Sequence, residues 1–375
     1  MKICIVTLPL HTNYGGILQA YALQTVLERM GHRVELLNKP LNRGASIFSL
    51  LYVTLKRVAL RCCGRKDELP TDWWRKMRED AKICRHTNRF IRQYIHCRFV
   101  NRVEELSADD FDAMVVGSDQ IWRRIYPFWG TIEHAFLDFT DGWRVKRVAY
   151  AASFGREDVS EYSEEEQLHC AAYLRSFDAV SVREESGVEL CADWNVKASC
   201  VLDPTLLLDR VDYLSLIERA SARAHEGELF HYFLDNDEAL QRMVTAIAEH
   251  FQWRPFKVNG EVENDRAPIE ERIQPPVEEW LDAFRSSRAV VTDSFHACVF
   301  SIIFDKPFLV CVNETRGINR LESLLAKFGL EDRLVASSQW REKANLLCVA
   351  PGVGEQWNRL KVESLAFLTD VVGSV

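Results

Sequence analysis

The sequence predicts an α/β protein with two Rossmann-like domains that face each other across a cleft, and three observations lead to this prediction. Apolar, strand-like runs alternate along the chain with segments of helical periodicity, which is the pattern of parallel sheets covered by helices. The length of 375 residues exceeds that of most single domains. The tripeptide Asp203-Pro204-Thr205 resembles a connection between two such alternating sets. We therefore expect one domain at 1–205 and a second at 206–375.

The first domain is predicted to open with a βαβ unit. Residues 2–8 form an apolar strand, the apolar side chains from Ile17 to Met30 recur at helical spacing, and Gly31 follows as a C-cap. Such an opening predicts a parallel sheet, because the crossover helix returns the chain to the same end of the sheet. Further strands of this domain are expected at 32–37, 111–117, 145–153, 178–183 and 197–202.

The second domain repeats the alternation of strands and helices. Its strands are expected at 228–235, 251–258, 288–293 and 307–312. Its helices are expected at about 238–250, at 277–287 and directly after His296. The last helix, at about 355–372, is expected to be able to pack back on the first domain.

The charge of the chain is unevenly distributed. The whole chain carries a formal net charge of -8, and its isoelectric point near 5.8 argues against a general nucleic-acid binder. Residues 41–102 instead hold 15 Lys and Arg against 5 Asp and Glu. We interpret this segment as a basic helical insertion in the first domain, which favours a local anionic partner such as a phosphate group or a membrane surface.

The signals that bear on the cellular compartment favour the cytoplasm. The apolar run at 2–8 is too short for the central region of a secretory signal, and no apolar run reaches transmembrane length. The 11 cysteines are scattered and form no C-x-x-C pair, which indicates a reducing compartment and no structural zinc site.

Ligands of open parallel sheets bind beyond the carboxyl ends of the strands, and this rule selects four loops at 10–16, 117–122, 183–186 and 292–296. In the first loop, Gly15 and Gly16 allow a ligand to approach the backbone closely, and the helix N-terminus that follows suits an anion or a sugar hydroxyl. The loop lacks both the GxGxxG spacing and the Walker lysine. It is equally typical of a strand–helix turn capped by Asn13.

The second and third loops each offer a charged side chain. Asp119 follows an apolar strand, where a carboxylate either orients or deprotonates a hydroxyl, or else caps a helix. Trp122 either stacks on a sugar face or packs in the core. Arg183 ends a strand that is apolar throughout, so its permanent charge needs an anion. That anion is either a neighbour, Glu184 or Glu185, or a bound phosphate or carboxylate.

The fourth loop places Ser294 and His296 where a buried strand becomes an apolar helix. A buried histidine or hydroxyl costs desolvation unless it finds a partner, so the loop is either a satisfied turn or the floor of a site. The helix N-terminus adds positive potential at this point. The position of His296 at a strand end favours a functional role.

Several of these stretches together resemble the polysaccharide pyruvyl transferase family. They occur in the family's order over about residues 3–335, and the set is specific although each stretch is short. The basic insertion at 41–102 lies outside the resemblance. The matching stretches are NYGGILQAYALQ (13–24), VVGSDQIW (115–122), FLDF (136–139), KRVAYAASFG (146–155), VSVREESG (180–187), VLDPTLLL (201–208), TDSFHACVFSIIFDKPF (292–308) and RLESLLAKFGLEDRLV (320–335).

The resemblance implies a fold, a reaction and two site residues. The fold is the GT-B-like arrangement of two Rossmann-like domains. The reaction transfers a pyruvyl group from phosphoenolpyruvate to two sugar hydroxyls and releases phosphate. Arg183 corresponds to the family's donor-binding arginine, and His296 corresponds to its donor-site histidine.

The chain departs from the family pattern at Ser294. Well-studied members carry an arginine two residues before the histidine, and this arginine helps to hold phosphoenolpyruvate. Either Arg316, Arg320 or Lys306 supplies the missing cation, or the donor binds differently in this chain.

The residues suit such a reaction without a metal or a cofactor. A histidine can deliver the proton that makes C2 of the donor electrophilic, which is the role expected for His296. Asp119 is expected to deprotonate or orient the attacking hydroxyl. The acceptor side of the cleft is expected to consist of Asn13, Tyr14, Gly15, Gly16, Gln19 and Trp122.

We expect the acceptor to be a hexose whose 4- and 6-hydroxyls close a six-membered ketal, as in a galactose-type residue of a lipid-linked precursor in capsular or exopolysaccharide biosynthesis. A lipid-linked diphosphate would place the protein peripherally on the inner face of the cytoplasmic membrane, and it would suit the basic insertion. The candidate contacts, which could equally be a solvated helical face, are Lys56, Arg57, Arg61, Arg65 and Lys66.

Two other functions are compatible with the sequence. One is a GT-B glycosyltransferase that uses a nucleotide sugar, which the serine at 294 leaves open. The other is a non-catalytic sugar-binding or scaffold protein of a polysaccharide assembly complex. Binding of a nucleotide, or binding of the acceptor without turnover, would distinguish them.

Overall fold

The computed structural model describes residues 1–39, 70–126, 129–220, 225–235, 237–312 and 318–373, with backbone alone at 70–75. Two of the sequence predictions concern residues outside these ranges. The proposed membrane contacts at Lys56, Arg57, Arg61, Arg65 and Lys66 lie outside the described residues, and so does the donor candidate Arg316.

Seven parallel strands form the first sheet. They are β1 (Lys2–Val6), β2 (Arg33–Asn38), β3 (Cys97–Phe99), β4 (Ala113–Val116), β5 (Lys146–Ala152), β6 (Ala179–Val182) and β7 (Ala198–Cys200). Their order across the sheet is β3-β2-β1-β4-β5-β6-β7, so the order reverses at β1, between β2 and β4. Loops at the carboxyl ends of strands beside such a reversal form a crevice in which ligands bind.

Five parallel strands form the second sheet. They are β8 (Leu229–Tyr232), β9 (Pro255–Phe256), β10 (Ala289–Thr292), β11 (Phe308–Cys311) and β12 (Leu334–Val335). Their order is β12-β11-β10-β8-β9, which places β10, the strand that leads to His296, in the middle of the sheet. The structure thus confirms the predicted α/β fold with two parallel sheets.

Helices connect the strands of both sheets. They are α1 (Tyr14–Arg29), α2 (Pro70–Ile83), α3 (Arg85–Tyr94), α4 (Glu164–Leu174), α5 (Glu185–Asp193), α6 (Arg210–Ala220), α7 (Glu238–Phe251), α8 (Ile269–Arg272), α9 (Val277–Ser286), α10 (Phe295–Ile303), α11 (Asn319–Phe328) and α12 (Gly354–Val372). Local chemistry sets several of their ends. Asn13 caps α1 by accepting a hydrogen bond from the Gly16 N–H, and Ser163 with Glu166 forms a capping box at α4.

One apolar core extends across both sheets. It contains strand residues of the first sheet, such as Val115, together with strand residues of the second sheet, such as Val290. Between them, Tyr14 of α1 stacks on Trp280 of α9 with ring centroids 5.1 Å apart, and its hydroxyl donates to the Pro275 carbonyl at 2.8 Å. Burial of these large rings removes apolar surface from water at the junction, which stabilises one relative placement of the two sheets.

The predicted bounds of the basic helical insertion, 41–102, are partly wrong. Its last part is β3, which pairs in parallel with β2 at the edge of the first sheet. The described helices α2 and α3 contact the second domain, since Arg89 donates to both oxygens of Glu278 at 3.1 Å and the Gln274 N–H donates to the Ile83 carbonyl at 3.0 Å. The strand could not be recognised in the sequence, because it is only three residues long and lies in a charged segment with helical composition.

The last helix, α12, packs on the first domain. The Leu202 N–H donates to the Ser364 hydroxyl at 3.0 Å, and Lys146 Nζ donates to the Val371 carbonyl at 2.9 Å. Leu368 on the same helix is fully buried in the shared core. The chain therefore returns to its first sheet after completing the second.

None of the described helices has the length and apolar character that crossing a bilayer requires.

Candidate active site

Arg183 is a buried ion-pair centre at the carboxyl end of β6. Its guanidinium donates to Asp203 Oδ2 at 2.9 Å and to Asp119 Oδ1 at 3.1 Å. The side chain is 1% exposed, and its Nε lies 3.7 Å from Glu184 Oε2. An arginine in this environment needs anions because its charge cannot be removed. Two of the three carboxylates come from the ends of other strands, Asp119 after β4 and Asp203 after β7, so Arg183 fixes three loops relative to one another.

Asp203 receives hydrogen bonds on both of its oxygens. The Thr205 hydroxyl and N–H donate to Oδ1 at 2.7 Å and 3.1 Å, while Ser118 Oγ lies 3.1 Å from Oδ2. Burial opposes ionisation of this carboxyl, yet His296 and Arg183 lower the pKa of Asp203 well below its usual range. Asp203 is therefore an anion at neutral pH.

Asp119 follows β4 with a backbone φ of 63°, in the left-handed region. No helix begins directly after Asp119 among the described residues, where the next helical turn starts at Glu133, so the helix-cap alternative is wrong. Burial would raise the pKa of Asp119, but Arg183 and then His296 outweigh it and hold the pKa below its ordinary value. An ionised carboxylate held in this way accepts hydrogen bonds well and is a weak base.

His296 lies in the first turn of α10 and reaches into the first domain. Its Nε2 is 3.7 Å from Asp203 Oδ2, an ion-pair separation rather than a hydrogen bond, and the side chain is 8% exposed. Its ring packs against the N-terminus of α1, since a Cβ on Gly15 would lie 2.1 Å from His296 Nδ1. The fold thus inserts a histidine of the second domain between α1 and Asp203.

Arg320 of α11 stands beside Arg183, and both lie near the Phe295 ring. Their guanidinium carbons are 6.0 Å and 4.3 Å from the ring centroid. Burial and the charge of Arg183 lower the pKa of Arg320 to about 10, so it remains a cation at neutral pH. Arg320 keeps more exposed surface than the fully buried Arg183.

The hydroxyl of Ser294 serves the backbone of α10. It accepts a hydrogen bond from the Ala297 N–H at 3.4 Å as the helix cap, while the Ser294 N–H donates to Thr292 Oγ1 at 3.0 Å. Lys306 also bonds to the backbone, because its Nζ donates to the carbonyls of Arg285 and Ser287 at 2.9 Å and 2.8 Å. Of the cations considered as substitutes for the family arginine, Arg320 is the described one that lies beside Arg183.

Three of the predicted acceptor residues have side chains that are buried in the protein. Tyr14 packs on Trp280, and Trp122 stacks on Phe136 with centroids 5.1 Å apart. Gln19 donates to Thr7 Oγ1 at 3.0 Å and accepts from the Ser118 N–H at 3.0 Å. A direct contact of these three side chains with a sugar does not agree with this burial.

The other predicted acceptor residues lie at the start of α1, where Gly15 is buried and Gly16 is half-buried. Asn13 is exposed, and Gly15 and Gly16 bring the first turn of the helix beside His296 and Asp119. The structure therefore brings together Asp119, Arg183, His296, Arg320 and this turn.

Sequence reasoning missed Asp203 as a site residue because the DPT tripeptide was interpreted as a domain connection. A signal was present, since Asp203 directly follows the strand predicted at 197–202. The strand-end rule that selected Asp119 and Arg183 applies equally to this position.

The arrangement combines cations for an anionic ligand with carboxylates that can accept bonds from hydroxyl groups. Within the described residues, no three or more His, Cys, Asp or Glu side chains are grouped so as to hold a metal ion. The chemistry that these groups offer is proton transfer and charge stabilisation.

A family model described as polysaccharide pyruvyl transferase matches residues 13–315, which include every strand-end loop discussed above except the first three residues of the first. The chain belongs to the polysaccharide pyruvyl transferase family. The family is one of transferases, and its name indicates a polysaccharide acceptor. No curated protein matches the chain significantly.

Solved structures of the same fold confirm the GT-B-type arrangement of this family member. MnaA from S. aureus in a structure with UDP has a TM-score of 0.53 and 9% identity, over 100% of this chain and 97% of that chain. The UDP-GlcNAc 2-epimerase of Methanocaldococcus jannaschii has a TM-score of 0.52 and 13% identity, over 98% and 100%. The Neisseria meningitidis epimerase bound to UDP-GlcNAc has a TM-score of 0.51 and 13% identity, over 98% and 100%.

Replacement of Gly15 by Ala is expected to displace His296 or the start of α1. The added Cβ would meet His296 Nδ1 at 2.1 Å and His296 Cβ at 2.8 Å, and relief of such an overlap costs about 1–3 kcal/mol. The measurement is the free energy of unfolding in urea.

Gly16→Ala is the matched control for this change in stability. The nearest atom to its new Cβ is Asp119 Oδ2 at 3.6 Å, an ordinary contact, and Ala favours the helix by about 0.5–1 kcal/mol. Equal destabilisation by the two substitutions would contradict the tight contact between Gly15 and His296.

Asp203→Asn is expected to lower the free energy of unfolding at pH 7 by about 3–5 kcal/mol, because it leaves Arg183 with an incomplete set of anions. The folded-state pKa of Asp203 lies below its unfolded value, so its contribution is present above about pH 4 and is lost as pH falls below that. Urea unfolding between pH 7 and pH 3 should therefore show a flatter pH dependence for Asp203→Asn than for the parent.

Glu238→Gln provides the control for this pH series. Its carboxylate is 91% exposed and pairs with Arg242 on the surface of α7. Loss of such a pair changes stability by less than about 1 kcal/mol. If Asp203→Asn behaved in the same way, the buried ion pairs would not hold the site together.

Proposed function

We propose that this protein transfers the pyruvyl group of phosphoenolpyruvate to two hydroxyls of a hexose, forming a cyclic pyruvate ketal with release of phosphate. The acceptor in this proposal is a galactose-type residue of a lipid-linked precursor in capsular or exopolysaccharide biosynthesis, modified at its 4- and 6-hydroxyls. The observation that carries the proposal is the placement of His296 between α1 and Asp203, beside Arg183 and Arg320, in a member of the pyruvyl transferase family.

The donor needs cations because it carries a phosphate and a carboxylate on a small frame. In this proposal Arg320 is the cation that contacts the donor and does the work of the family arginine that Ser294 replaces. Arg183 already donates to Asp119 and Asp203, so in this proposal it contributes positive potential and holds both carboxylates in place. The N-terminus of α10 adds N–H groups and a positive dipole end.

The chemical steps begin with a proton from His296 to the methylene carbon of the donor, which makes C2 electrophilic. Asp203, held as an anion, stabilises the protonated ring from 3.7 Å. The first sugar hydroxyl then forms the C2–O bond and gives its proton to the neutral His296. The second hydroxyl attacks C2 as the C2–O bond to phosphate breaks, and its proton leaves with the phosphate.

Asp119 orients the attacking hydroxyl in this scheme. Its low pKa keeps it ionised beside Arg183, so it accepts a hydrogen bond more readily than it takes a proton. The reaction needs no metal and no cofactor, since phosphoenolpyruvate enters as a co-substrate.

A nucleotide-sugar glycosyltransferase is the second candidate function. Its support is that proteins of the same fold are seen with UDP or UDP-GlcNAc. The sequence identity to those proteins is only 9–13%. At this level the comparison supports a common fold but not a common ligand.

The activity prediction concerns phosphate release from phosphoenolpyruvate. We expect release only in the presence of a lipid-linked galactoside, together with the mass gain of one pyruvyl ketal on that acceptor. His296→Ala is expected to lower the rate by about 10²–10⁴-fold, because it removes the general acid. The measurement combines a phosphate assay with mass spectrometry of the acceptor.

His169→Ala is the control for this assay, since His169 is a largely exposed histidine on α4 that lies outside the site. Phosphate release without the mass gain, or an unchanged rate in His296→Ala, would refute the mechanism. If a panel of hexosides gives no reaction and UDP binds tightly, the glycosyltransferase is correct. Acceptor binding without turnover of either donor would identify a scaffold protein.

The membrane prediction concerns the basic segment. We propose that Lys56, Arg57, Arg61, Arg65 and Lys66 contact anionic headgroups or the diphosphate of the acceptor at the cytoplasmic face of the membrane. Flotation with phosphatidylglycerol-containing liposomes should retain the parent protein, and it should lose a variant in which all five residues are Gln. Equal flotation of the two proteins would exclude this contact.

A further inference from the structure

A cavity of about 440 Å³ opens at the carboxyl end of the second sheet. It lies beyond β8 and β9, and none of the residues expected to bind the acceptor lines it except Asn13. Its volume falls within the range of small-molecule sites in proteins. The polar side chains that matter for its chemistry are Asp235, Gln241, Lys257, Asn259, Glu261 and Glu263.

Two loops connect this cavity with His296. Asn13 forms part of its wall, and Gly15, two residues later, packs against the His296 ring. Leu234 also lines the cavity, and its N–H donates to Asp293 Oδ1 at 2.8 Å, three residues before His296. A ligand in the cavity is therefore bordered by the same loops that position the histidine.

The charge of the lining disfavours an anionic ligand. Among the described residues that line it, Lys257 is the one cation against three carboxylates, and it already pairs with Glu261 at 2.9 Å. Burial and the charge of Lys257 lower the pKa of His231 to about 4, so this lining residue is neutral at neutral pH. A phosphate or a nucleotide diphosphate would meet net repulsion here, and neither Arg183 nor Arg320 lines the cavity.

The lining instead suits uncharged hydroxyl groups. The amides of Asn13, Gln241 and Asn259 can donate and accept hydrogen bonds, and the carboxylates can accept them. Leu234 is 38% exposed at the cavity and offers an apolar surface to the C–H face of a sugar ring. This mixture of polar groups and a small apolar surface is typical of a carbohydrate subsite.

We propose that this cavity binds an uncharged hexosyl unit of the acceptor, adjacent to the position that receives the pyruvyl group. The inference rests on the proposed function for its placement in the reaction, and it moves acceptor recognition from the buried Tyr14, Gln19 and Trp122 to the second domain. The two substrates are then separated by charge, with the anionic donor at the arginines and the neutral saccharide in the cavity.

The test uses saturation-transfer NMR of the full chain with methyl β-D-galactopyranoside and without phosphoenolpyruvate. The parent should bind the glycoside, and Asn259→Ala and Gln241→Ala should each bind it about fivefold to tenfold more weakly, as expected for one lost hydrogen bond. Asn358→Ala, which changes an exposed asparagine on α12, should bind like the parent. Addition of UDP should not displace the glycoside.

Three results would overturn the inference: no saturation transfer in the parent, binding unaffected by both cavity substitutions, or displacement by UDP. These results are independent of phosphate release. Sugar binding that is weakened by Asn259→Ala without any reaction of phosphoenolpyruvate would remove the proposed function and keep the cavity as a saccharide site.

Where the reaction proceeds, Asn259→Ala should raise the KM for the acceptor and leave the KM for phosphoenolpyruvate unchanged. A rise in both KM values would indicate a merely structural effect.

Discussion

The buried guanidinium of Arg183 is the constraint on which the site depends. A charge at 1% exposure is tolerable only because Asp119 and Asp203 accept its hydrogen bonds, and these residues come from different strand ends. Asp203 in turn is held by Thr205 and Ser118 and faces His296. Loss of one charge would leave its partners buried and unpaired, so the network specifies one arrangement of the loops rather than simply adding stability.

The same network joins the two domains. His296 belongs to the second domain, yet its ring fills the space that only a glycine at position 15 leaves open. The stacking of Tyr14 on Trp280 and the return of α12 to the first sheet fix the same junction from other sides. His296 can therefore meet Asp203 of the other domain, because apolar packing around it determines where the domains sit.

The strand-end rule predicted much of the site, and burial decided the rest. It placed Asp119, Arg183 and His296 in facing loops, and the structure brings them together. It omitted Asp203, because a proline after the aspartate suggested a linker. It could not distinguish the core packing of Trp122 from sugar stacking, since an aromatic residue after a strand suits both environments. The bounds of the basic segment were wrong at β3, because a strand of three residues carries too little periodicity to detect.

The sequence by itself determined the alternation of strands and helices, the two parallel sheets and the family, because periodicity and local motifs are properties of neighbouring residues. Only the tertiary structure decided that Arg183 pairs with Asp119 and Asp203, that Ser294 is a helix cap, and that Tyr14 and Gln19 are buried. It also produced the cavity beyond β8, whose walls come from residues more than 200 positions apart in the chain. Such features depend on which side chains meet across the fold, and that is fixed by long-range packing rather than by local pattern.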